Sequence, residues 1–75
     1  MNIKQIKYFV SVANRGSLSS AAREHGISVQ AVSKSMADLE FEFGENLFDR
    51  SHQGIELTPL GEAFLEKAAE VESWS

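Results

Sequence analysis

The chain has 75 residues, 43% of them hydrophobic, no cysteine and a formal net charge of -4. That length permits one small domain, the apolar content favours a packed core over disorder, and the missing cysteines exclude a disulfide scaffold and any thiolate metal site. The acidic total is unevenly spread: residues 1–37 set five basic side chains against Glu24 alone, whereas residues 38–75 set Arg50 and Lys67 against ten acids.

Ile3, Ile6, Phe9, Val10 and Ala13 recur at helical spacing and predict a first helix over residues 3–14, stopped by Asn14, Arg15 and Gly16. No apolar run approaches the ~20 residues of a membrane span. Lys4, Gln5 and Lys7 also break up any apolar segment of the signal-peptide kind. Ser17 is suited to cap a short second helix, Leu18 to His25, with Ala21 and Ala22 turned inward.

Gly26 ends that helix, and Ser28 can cap a third. At about 100° per residue, Val29, Met36, Leu39 and Phe43 fall within about 60° of Val32 and form one apolar face. Gln30, Ser33, Lys34 and Ala37 lie opposite or on the flank, and Phe41 points about 180° from Val32. Gly44 closes the helix. Ala22, Gly26 and Val32 have the spacing of a helix-turn-helix: a small residue where two helices cross, a glycine for the turn and a branched residue to pin the second helix.

Residues 46–58, NLFDRSHQGIELT, combine a short apolar run, a turn-like SHQG and an alternating IEL. They predict a small β-hairpin with Gly54 at its tip. Thr58 and Pro59 open a last helix as N-cap and first helical residue. Along it Leu60, Phe64, Lys67, Val71 and Trp74 step by four and three residues, a short heptad-like seam. The predicted fold is mainly α, a winged helix-turn-helix: a three-helix core, a β-hairpin wing and a C-terminal helix.

The segment SLSSAAREHGISVQAVSKSMADLEFEFGENLFDRSHQGIELTPLGEAFL resembles the DNA-binding domain of LysR-type transcriptional regulators, through Ser17, Ala21, Ala22, Ser28, Ala31, Val32, Ser33, Leu39, Glu40, Gly44, Leu47, Phe48, Arg50 and the LTPLGE motif of residues 57–62. The resemblance covers residues 2–70. It implies a winged helix-turn-helix domain over residues 1–58, and over 59–75 the start of a linker helix through which subunits dimerise. It implies double-stranded DNA with inverted-repeat half-sites as the partner and helix 28–43 in the major groove; the cytoplasmic location expected for the chain rests on the absence of cysteine. An effector ligand is implied only where a further C-terminal domain follows.

Carried over by position, the DNA-binding candidates are Ser28, Val29, Gln30, Ser33, Lys34, Arg50, His52 and Gln53. Phe64, Lys67, Val71 and Trp74 are the dimerisation candidates. The family usually has Gln and Pro where Val29 and Gln30 stand here, Arg in place of Lys34, and basic residues in place of Ala37 and Asp38. A lysine supplies a point charge without the two-pronged fork of arginine, and a glutamine amide can pair with adenine. Arg50 is equally open to a structural hydrogen bond or ion pair beside the hairpin.

Tyr8, Phe9, Phe48 and Phe64 read as core or near-core, Met36 as gap-filling core, and His25 as a partly buried corner residue. No catalytic residue, cofactor or metal site is expected: the two histidines are 27 residues apart, and no glycine-rich phosphate loop occurs. A winged helix that only docks to protein is the alternative reading, motivated by the acidic C-terminal half, Val29, Ala37 and Gln53.

Overall fold

A computed structural model describes residues 1–51 and 53–73. In chain order the elements are α1 (Ile3–Arg15), α2 (Leu18–His25), α3 (Val29–Phe43), β1 (Phe48–Asp49), β2 (Glu56–Leu57) and α4 (Pro59–Glu72). This is the winged helix-turn-helix expected from the pattern. Each helix begins at a side chain that satisfies otherwise orphaned amides. Asn2 and Gln5 exchange side-chain-to-backbone bonds of 2.9 Å in a reciprocal box at α1. Ser17 accepts from the Ser20 amide, Ser28 from Ala31 and Thr58 from Gly61.

The α2–α3 corner turns at Gly26, whose φ of 66° is left-handed. The next amide, Ile27, donates back to the Ala22 carbonyl at 3.0 Å and closes the end of α2. Ile27 is half-buried and packs on the core, a few residues from the Val32 pin.

The core is centred on α1, which packs against α2, α3 and α4. Phe9 and Val12 meet Ala21, Ala22, Val32, Met36, Leu39, Leu47, Phe48 and Ala68 there. Contact on three sides widens the buried arc of α1, so Val12 is fully buried and Ser11 nearly so, although neither belongs to the apolar set read from spacing. Ile3 belongs to that set but stands exposed, because the first turn of α1 runs past the core. Phe9, Phe48, Phe64 and Phe43 form a chain of tilted and edge-on rings with centroids 4.7–5.3 Å apart, tying α1, α3, β1 and α4 together.

The two short strands pair antiparallel, Phe48 opposite Leu57 and Asp49 opposite Glu56. Gly54 in the connecting loop has φ 87°, in the left-handed region that favours glycine. The root of the hairpin is bound to two helices. The Glu40 carboxylate of α3 accepts from the Leu47 amide at 2.7 Å and the Phe48 amide at 3.2 Å. Thr58 donates its hydroxyl to the Asn46 carbonyl at 2.8 Å, and its amide bonds to the Leu47 carbonyl at 3.1 Å. Gly61 is buried where α4 passes this strand root; a Cβ there would sit 2.1 Å from the Leu47 carbonyl oxygen. The glycine of the LTPLGE motif is thus required for close approach, with no positive φ involved.

Candidate nucleic-acid interface

The outer face of α3 carries the expected polar set. Ser28, Gln30, Lys34 and Ala37 are exposed and Ser33 is half-buried, while Val32, Met36 and Leu39 on the opposite face are sealed in the core. Ser28 caps the helix through its side-chain oxygen, 3.1 Å from the Ala31 amide. The preceding amides, of Val29 and Gln30, meet no acceptor among the described residues and leave the positive end of the helix dipole open to an anion.

Val29 departs from the helical-wheel expectation. Placed on the apolar face by its angle, it is 38% exposed. It is the first residue of α3, and the chain there is still leaving the corner, so the turn residue Ile27 packs on the core instead. Val29 therefore stands at the exposed tip of the helix beside Ser28 and Gln30, as a base-contact candidate must.

Lys34 is the one basic residue of α3, and its ammonium bonds to the Asp38 carboxylate one turn further on, at 2.9 Å. The other two acids of α3 are engaged away from this face. Glu40 holds the strand root, and Glu42 pairs with the chain's N-terminal ammonium. Further along the outer face Phe41 is 87% exposed, in agreement with its angle from Val32.

In the wing, Arg50 and Gln53 are exposed. Arg50 makes no hydrogen bond or ion pair among the described residues. His52 lies outside the described residues. The facing acids Asp49 and Glu56 give the hairpin a negative flank, and Asp49 also accepts from the Ser51 amide and hydroxyl.

A polar network links α1 and α2 at the surface. The Arg15 guanidinium bonds to Glu24 at 3.0 Å and to the Ser20 hydroxyl at 3.2 Å, and the Ser11 hydroxyl donates to the other Glu24 oxygen. The Arg15 hydrogen bond, followed by that of Ser11, pulls the Glu24 carboxyl down to about 2. His25 is half-buried, as expected, with its ring edge-on to Tyr8 at 5.0 Å. Sequence spacing did not single out this network. Nor did it single out Arg23, an exposed α2 cation with no ion pair among the described residues.

Of the seam on α4, Phe64 is committed inside the chain, half-buried against Phe9 and Phe43. The face of α4 turned to the core runs through Gly61, Phe64 and Ala68, so the steps of four and three residues mix an inner residue with outer ones. Lys67 is exposed and Val71 half-buried; Trp74 lies outside the described residues.

A family model described as bacterial regulatory helix-turn-helix protein, lysR family, matches residues 3–62. This chain belongs to the LysR family. It is 42% identical over 71 residues to the HTH-type transcriptional regulator TcbR of Pseudomonas sp. (strain P51), covering 95% of this chain and 24% of TcbR. It is 40% identical over 65 residues to the transcriptional dual regulator GltC of Bacillus subtilis (strain 168), covering 87% of this chain and 22% of GltC. The chain thus spans about a quarter of the length of these LysR-family relatives.

Among solved structures it resembles the CbnR DBD in a DNA complex, with a TM-score of 0.92 and 40% identity over 99% of this chain and 85% of that one. It also resembles the BenM DBD in complex with catB site 1 DNA, with a TM-score of 0.93 and 30% identity over 97% and 81% of the two chains. No helix among the described residues is long and apolar enough to cross a membrane.

Proposed function

We propose that this LysR-family chain binds double-stranded DNA sequence-specifically as the reading domain of a transcriptional regulator, with α3 in the major groove. The observation that carries the reading is the division of α3. Its inner face holds the core, and its outer N-terminal half presents Ser28, Val29, Gln30, Ser33 and Lys34 with two unbonded amides at the tip. The likeness to DBD chains in DNA complexes supports it. The Ser28 end takes a phosphate, Gln30 reads a base edge as its amide can for adenine, Val29 touches a thymine methyl, and Ser33 and Lys34 extend the contact. Arg50, His52 and Gln53 bring the wing to the adjacent minor groove or backbone, and Arg23 adds a phosphate contact from α2.

Residues 1–58 form the reading unit, and 59–75 begin the linker helix while also closing the core through Phe64 and Ala68. The outer edge of that helix, at Lys67 and Val71, joins two copies into a homodimer on an inverted repeat, in the cytoplasm, and Trp74 is the further candidate for that contact. An effector ligand enters only through a C-terminal domain of the whole regulator.

Selection of bound sequences from a random duplex pool tests this. An enriched inverted repeat is the expected result, with binding weakened by Gln30→Ala and by Lys34→Ala in mobility shifts. No enrichment, or an enriched site indifferent to both substitutions, overturns the assignment to α3.

A further inference from the structure

Lys34 supplies the whole positive side-chain charge of α3, yet it is bonded to Asp38 at 2.9 Å. We propose that Asp38 is a specificity-determining positioning residue: it is a built-in counter-ion that cancels the lysine's charge toward the DNA backbone while leaving its hydrogen-bond donors available to a base edge. The inference rests on the reading of α3 given above.

Three observations support it. The pair lies on the reading face rather than in a structural tether, since Glu40 and Glu42, the other α3 acids, are occupied elsewhere. The pair is wet, with side chains 77% and 52% exposed, so water and salt weaken it and the ammonium can change partner. Its order along the helix, lysine before acid, is the less favourable one against the helix dipole, which keeps it easy to open. Non-specific association follows net charge and the counter-ions released from DNA; the pair presents no net charge there. A contact with guanine O6 or N7 depends instead on a donor within reach, and Lys34 keeps two N–H groups beyond the one it gives to Asp38. The carboxylate therefore suppresses binding to arbitrary sequence more than binding to the correct one.

The test is titration of the full chain and of Asp38→Asn, Lys34→Ala and the double variant with two duplexes, one recovered by pool selection and one scrambled. Each is measured between about 50 and about 200 mM salt, a range over which phosphate contacts change affinity strongly. Asp38→Asn is expected to tighten scrambled-duplex binding by roughly three- to tenfold, to change selected-duplex binding by less than about twofold, and to steepen the log–log salt slope by about one per bound α3. In the Lys34→Ala background Asp38→Asn is expected to shift both duplexes by the same factor and leave the specificity ratio unchanged.

An unchanged slope and specificity ratio in Asp38→Asn overturns the proposal. So does a change in the specificity ratio that persists without Lys34, which would mean that Asp38 acts on selectivity independently of the lysine. A structural role would instead lower the melting temperature and weaken both duplexes alike. If neither the wild-type chain nor Asp38→Asn binds any duplex, the DNA-reading assignment falls and this inference with it. If the wild type reads its duplex and the slope does not move, this inference falls alone.

Discussion

The α2–α3 corner and the wing are both short connections that aim a candidate DNA-contacting segment, but they are secured differently. The corner is held by neighbours in sequence: Ser17 and Ser28 cap their own helices, Gly26 turns, and Ile27 bonds back five residues to Ala22. The wing has strands of two residues each, too short to be independently stable, and is held at its root by groups far along the chain. Glu40 reaches from α3 to residues 47 and 48, and α4 lies against the Leu47 carbonyl where Gly61 has no side chain. A local device fails locally, whereas a remote tether couples the wing to the whole core.

The wing's tether is most severely disrupted at Gly61. A Cβ at 2.1 Å from a backbone oxygen cannot be accommodated by a rotamer change, so α4 or the strand root must move. Gly61→Ala is expected to cost about 3 kcal/mol or more in chemical denaturation, as severe overpacking does. That is a large share of the roughly 0.05–0.15 kcal/mol per residue by which small domains are stable. Glu40→Ala comes next. It leaves the Leu47 and Phe48 amides without their acceptor, with an expected loss of about 2 kcal/mol. Amide hydrogen exchange should quicken at residues 47–49 and 56–57 while the α2–α3 corner stays protected. Equal acceleration in both regions would show that the wing is not separately tethered.

Ser28→Ala tests the corner. Loss of one N-cap is expected to cost about 1 kcal/mol and to fray only the first turn of α3, read as faster exchange at Ala31 with the wing unchanged. The smallest effect is the pH response of the α1–α2 network. Because the folded Glu24 carboxyl titrates at about 2, below its ordinary 4.5, its stabilisation is complete above about 4.5 and is lost as pH falls toward 2. Thermal melts of Glu24→Gln should therefore converge on the wild type at the acid end of that window and lie below it at neutral pH. A constant offset at every pH would mean that proton linkage at Glu24 contributes nothing.

The same contrast explains how much was legible in advance. The bounds of α2, the caps at Ser17, Ser28 and Thr58, the glycine stops and the hairpin tip at Gly54 followed from residue types within a few positions of one another. The burial of Val32, Met36 and Leu39 followed from helical period. Val29 and Ile3 did not conform, because period assigns an angle but not whether the core extends to that level of the helix. Overlapping patterns assign Phe64 both to the core and to an outer seam; its rings of contact, Phe9 and Phe43, lie 55 and 21 residues away.

By itself, then, the sequence determined the element order, the corner that makes the helix-turn-helix and the polar outer face of α3, since these depend on propensity, capping and period, all local. Only the tertiary structure decided which acid serves which purpose. Glu24 bonds α2 to α1 and Glu40 anchors the wing, whereas Asp38 holds Lys34 at the local i,i+4 spacing of a single helix. Carboxylates of similar chemistry are distinguished by what the packed helices bring within about 3 Å of them, the range of a hydrogen bond. That distance is fixed only when α1 is enclosed by its three neighbours and α4 closes over residue 47.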